Sequence, residues 1–84
     1  MTLNDVSLFI RDCNSVSAMI DKFEASGWKS EVAWESWEDV GFKLTKPGEK
    51  DLFIINDHYI NYVNIGFGGE DEALFFGGTY PHSN

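Results

Sequence analysis

The sequence predicts an α+β domain: an N-terminal helix, with a break expected near residues 13–15, packed on one face of a four- to five-stranded antiparallel meander sheet. Three observations carry the prediction. Apolar residues recur at helical spacing as far as Phe23, alternating apolar runs occupy much of the chain after Ser30, and turn residues punctuate those runs at short intervals.

Val6, Phe9, Ile10, Cys13, Val16, Ile20 and Phe23 follow spacings of three and four, which places them on one helical face. Thr2 with Asp5 forms a capping-box start, and Gly27 is a natural stop beyond the last periodic residue. Asn14, Ser15 and Ser17 compete with the helical backbone for hydrogen bonds, hence the expected break. A competing pattern also exists, because Val6, Leu8 and Ile10 alternate as in a strand. The next segment, Gly27 to Val40, carries all three tryptophans and four carboxylates. Val32 and Trp34 alternate there, and a strand over 30–35 with a turn at 37–40 is the favoured reading. Trp34 and Trp37 also fit helical spacing from Ser30 as an N-cap.

Strands are expected over 41–45 and 51–56, joined at Lys46-Pro47-Gly48-Glu49. Pro at the second turn position and Gly at the third specify a type II turn. Asn56-Asp57-His58 opens the next hairpin, followed by a strand over 59–67. In that strand Val63, Ile65 and Phe67 share one face, while Ile60, Tyr62 and Asn64 share the other. Gly68-Gly69-Glu70-Asp71 turns the chain into a last strand over 72–77, and the tail 78–84 reads as irregular. A sheet covered by a single helical layer keeps one wet face, where aromatic and amide groups can be displayed.

The chain has 84 residues, with 14 Asp and Glu against six Lys and Arg, a net charge of −8. That length makes residues 1–84 one domain. With 43% apolar and 15% aromatic residues the chain is too hydrophobic for a disordered acidic tail. No apolar run approaches the roughly 18 residues of a membrane span, and Met1 to Asp5 lacks the basic start of a signal peptide. The single cysteine, Cys13, fits a reducing compartment, so a cytoplasmic location is expected. Net negative charge disfavours nucleic acid and anionic membrane as direct ligands and favours a basic partner. The charge is uneven: residues 51–84 hold five acids and no Lys or Arg. Those carboxylates must pair with the first half, face water or face a ligand.

Catalytic patterns are absent. His58 and His82 have no metal-ligand spacing, no nucleophile-elbow pattern surrounds a serine, and Cys13 falls on the apolar helix face. Gly66-Phe67-Gly68-Gly69 lacks the Lys-Ser/Thr of a phosphate loop and precedes an acidic triplet. No enzyme, cofactor or metal is expected.

Interaction residues are plentiful. Tryptophan and tyrosine dominate binding hot spots, and flanking acids orient a basic partner. One candidate group is Trp34, Glu35, Trp37, Glu38 and Asp39, with Trp28 or Trp34 expected in the core and Trp37 outside. A second is Asp57, His58, Tyr59 and Tyr62, with Glu70, Asp71 and Glu72. In size, charge and composition the chain resembles the small immunity proteins that neutralise nuclease toxins and phage-encoded anti-defence inhibitors of the anti-CRISPR type. The resemblance implies a non-catalytic inhibitor of a basic nuclease or other nucleic-acid-binding complex. The alternative is an accessory or adaptor subunit acting through homodimer or partner contacts.

Overall fold

The structure, a computed structural model, describes residues 1–57, 62–68 and 79–81. Two helices, α1 (Leu3–Phe9) and α2 (Val16–Ala25), precede five strands: β1 (Lys29–Glu35), β2 (Asp39–Thr45), β3 (Leu52–Asp57), β4 (Tyr62–Phe67) and β5 (Thr79–Pro81). Every neighbouring pair is antiparallel and the sheet order is β1-β2-β3-β4-β5, the expected meander.

Local chemistry accounts for both helix starts and for the break. The Thr2 hydroxyl accepts from the Asp5 N–H (3.1 Å) while the Asp5 carboxylate accepts from the Thr2 N–H (2.8 Å), a complete capping box. That favours helix over the alternating pattern at residues 6–10, and Leu8 is accordingly exposed while Val6 and Ile10 are buried. α1 ends at Ile10, and Ser15 opens α2 by accepting from the Ala18 N–H. Gly27, with φ 97°, follows the last turn of α2, as its permissive backbone allows. At the β2–β3 connection the Glu49 N–H donates to the Lys46 carbonyl and Gly48 has φ 84°, the arrangement expected of a type II turn.

One apolar stripe from the helices meets one face of the sheet. Val6, Ile10, Val16, Met19, Phe23 and Trp28 pack against Leu44, Leu52, Ile54, Val63 and Ile65. Phe23 lies at the centre of an aromatic cluster, 4.9 Å from the Phe9 ring and 5.5 Å from Trp28, edge-on to the latter. Trp28 is therefore the core tryptophan. Lys22 fastens the two helices: its ammonium donates to the Phe9 carbonyl and to Asp12 (3.0 Å) and sits above the Phe9 ring.

Two expectations need correction or restriction. Thr79–Pro81, read from the sequence as an irregular tail, pairs with Tyr62–Asn64 as β5. Three residues carry too little alternation to read as a strand, and among the described residues β5 is the edge of the sheet, a position where proline is tolerated. The strand expected over 72–77 and residues 59–61 lie outside the described residues.

Two surface carboxyls give the fold an acid-sensitive limb. Hydrogen bonds from the backbone and then the side chain of Thr2 hold Asp5 below its ordinary 3.8, and the hydrogen bond from Lys22 does the same for Asp12. A depressed folded-state value means that the stabilisation is present above the ordinary value and is lost as pH falls through the folded one. Thermal melts from about pH 6 down to about pH 2 should show a steeper acid-side loss for the native chain than for Asp5→Asn or Asp12→Asn. Identical slopes would show that neither contact differs between folded and unfolded states.

Candidate functional site

The β1–β2 hairpin presents the tryptophan-and-acid segment, and a β-bulge determines how. Val32 pairs with Phe42, but Trp34 pairs with Gly41, so Ala33 is the extra residue of the strand. Regular alternation would put Trp34 on the same face as Val32, toward the helices. The bulge instead carries it across to the open face, where its indole lies over Gly41. A Cβ on Gly41 would stand 2.5 Å from three ring carbons of Trp34, so only glycine accommodates the ring. Gly41→Ala should therefore displace the indole, change near-ultraviolet circular dichroism and cost about 1–3 kcal/mol of stability. An unchanged aromatic spectrum would contradict this seating.

The turn itself is held by side chains. The Ser36 N–H donates to the Asp39 carbonyl (2.8 Å), and the Ser36 hydroxyl accepts from the Glu38 and Asp39 N–H groups, both at 3.2 Å. The Asp39 carboxylate in turn accepts from the Ser36 hydroxyl and the Trp34 indole N–H, both at 3.1 Å. Trp37 is carried at the tip of this network with 78% of its surface exposed, against 36% for Trp34. Exposing so large a ring costs solubility, and the hydrogen-bonded turn restricts the conformations it must lose on binding.

Register extends the site across the sheet. On the face away from the helices, Glu31, Lys43 and Phe53 form one row; Trp34, Gly41, Ile55 and Asn64 form the next; Asp39 and Asp57 stand opposite each other in a third. The Trp34 and Phe53 rings are 6.4 Å apart and tilted by 30°. Charge divides along the strands. Glu35, Glu38, Asp39 and Asp57 gather at the end bearing the Trp37 turn, whereas Lys29, Lys43, Lys46 and Lys50 lie toward the other. Asp51, from the lysine-free half, pairs with Lys43 at 3.7 Å.

Of the residues expected to contact a partner, Trp34, Glu35, Trp37, Glu38, Asp39 and Asp57 are brought to this one end. Tyr62 pairs with Asp57 through its strand, so these two members of the second candidate group stand at that end. His58, Tyr59, Glu70, Asp71 and Glu72 lie outside the described residues. The sequence reading missed Ser36, Gly41 and Phe53. A Ser-x-x-Asp pattern between strands and a glycine inside a strand were the available signs of the first two; Phe53 gave none.

Among the described residues no group of three His, Cys, Asp or Glu is placed to hold a metal ion. Burial, with the Asp12 charge, pushes the Cys13 thiol up, which reduces its nucleophilic thiolate form. No helix of the described residues is long and apolar enough to cross a membrane. Comparison of the chain with protein-family models, with curated proteins and with solved structures found no match.

Proposed function

We propose that this protein is a small acidic inhibitor that binds and blocks a basic, nucleic-acid-handling protein, in the manner of a toxin-immunity protein or an anti-defence inhibitor. The observation that carries the reading is the β1–β2 turn. An exposed Trp37 is held by a hydrogen-bonded loop among Glu35, Glu38 and Asp39, at the end of the sheet away from its lysines. An aromatic anchor ringed by one sign of charge is the combination that steers and then fastens an oppositely charged protein surface. A nuclease or nucleic-acid-binding complex offers such a surface, because it must itself attract phosphate.

The test uses a basic protein recovered by affinity capture on the native chain. Stoichiometric addition should suppress that protein's binding or cleavage of nucleic acid. Raising ionic strength from about 10 mM to about 150 mM shortens the Debye length from roughly 30 Å to roughly 8 Å. The association rate should fall about tenfold over that range while dissociation changes much less. A salt-independent association rate, or a bound partner whose activity is untouched, would refute the proposal.

A further inference from the structure

We propose that this chain pairs with a second copy of itself along β1, the two strands antiparallel about a two-fold axis at Ser30, so that two sheets join into one. The proposal goes beyond the inhibitor reading and does not depend on it.

Among the described residues β1 is an edge of the sheet, paired to β2 on one side only. Six of its seven residues are exposed and Ser30 is half-buried. An edge of this kind offers a row of backbone donors and acceptors to another strand. Val32 stands opposite Phe42, which packs against the core, so Val32 carries the apolar face of the sheet to its rim. There it shows 56% of its surface.

Register selects both the occupant and the axis. Residues directly opposite each other in an antiparallel pair share a face of the sheet. Lys29 and Glu31 belong to the face away from the helices, and Ser30 and Val32 to the face toward them. An axis at Lys29 or at Glu31 sets a charge against its own copy, which is unfavourable. An axis at Val32 runs the pairing through the Ala33 bulge, where the alternation breaks. An axis at Ser30 avoids both faults. It sets Lys29 of each copy opposite Glu31 of the other, two ion pairs on one face. On the other face it brings the exposed Val32 of each copy level with the buried Trp28 of the other. Ser30 is small and uncharged, and its hydroxyl is directed to Glu24 at 2.6 Å. Within the described residues neither Lys29 nor Glu31 is in a salt bridge. A hollow of about 300 Å³ lined by Lys29, Ser30, Glu31 and Thr45 gives the incoming side chains room. The interface is isologous, the same patch used twice, as a closed dimer requires.

The bulge also limits the contact. Regular pairing stops at Val32, so the shared stretch is short and the dimer is weak and concentration-dependent. Because the strands run in opposite directions, the two Trp37 turns point opposite ways along the joined sheet.

Sedimentation equilibrium of the full chain provides the test. The native protein should pass from monomer toward dimer between about 10 μM and about 1 mM. Lys29→Glu and Glu31→Lys, each shown by thermal melting to remain folded, should each weaken self-association at least about fivefold, since each replaces two attractive pairs by two repulsive ones. An equimolar mixture of the two variants should dimerise at least as well as the native chain, because every facing pair is then of opposite sign. Lys50→Glu mixed with Glu31→Lys carries the same net charges without the register and should not recover association. A native chain that is monomeric at about 1 mM would overturn the proposal. So would a mixture no better than its separate components, or a Lys50→Glu mixture that associates equally well. Protection of β1 amides that appears only with the captured basic protein, on a chain monomeric by itself, would assign the edge to that partner and refute the dimer.

Discussion

Trp37→Ala is expected to weaken binding of the basic partner by about thirtyfold or more, on the order of 2 kcal/mol, and to leave the melting temperature nearly unchanged. The two halves of that expectation have different causes. Trp37 is 78% exposed at the tip of the β1–β2 turn, so truncating it removes little from the packed interior. Exposed substitutions of this kind stay within roughly 0.5 kcal/mol of neutral. In a complex the same ring would be desolvated among Glu35, Glu38 and Asp39, where a large, two-rotor side chain gains most. Trp37→Phe should recover part of the loss, because it restores ring area without the indole. Isothermal titration with the captured partner and differential scanning calorimetry of the free variant check the two halves separately. A large drop in melting temperature would make Trp37 a folding residue; unchanged affinity would remove it from the interface.

Phe23→Ala is expected to destabilise the folded state severely. Phe23 is fully buried between Phe9 and Trp28, and its ring holds α2 against both α1 and the start of β1. Loss of a buried phenylalanine costs about 3–5 kcal/mol, since the lost transfer free energy is joined by the cavity left behind. A chain of this length has only about 4–13 kcal/mol in total at the usual stability per residue. At about 4–8 °C per kcal/mol in small domains, the melting temperature should fall by at least about 12 °C. Phe23→Leu, which keeps most of the volume, should lose less. A cooperative transition in Phe23→Ala within about 5 °C of the native value would mean that the aromatic cluster is not the centre of the core.

What could be read from the sequence depended on the range of the forces involved. The helix caps at Thr2 and Ser15, the stop at Gly27 and the Lys46–Glu49 turn are built by residues within four positions of one another, and local chemistry specifies each of them. In β4 the sequence grouped Val63 and Ile65 on one face, and both are buried; in β3 Leu52-Phe53-Ile54-Ile55 is apolar throughout, so pairing rather than local pattern decides that Leu52 and Ile54 face the helices. The bulge at Ala33 was not legible, because nothing in Val32-Ala33-Trp34 announces an extra residue; it is set by pairing with a strand that arrives only at Asp39. The sequence left Trp28 and Trp34 as alternatives for the core ring for the same reason. Trp28 packs on Phe23, whereas Trp34 is taken out of the alternation by the bulge and laid on Gly41. The acids at 35, 38, 39 and 57 could be seen as a charge excess, but their gathering at one end is a consequence of register.

Amide hydrogen exchange of the native chain, free and bound to the captured basic protein, tests the central claim most directly. The account predicts new protection concentrated in Trp34 to Gly41 and at the Asp57 end of β3, with α1 and α2 unchanged. Protection confined to the outward surface of the two helices, with the tryptophan turn exchanging as fast as before, would contradict it.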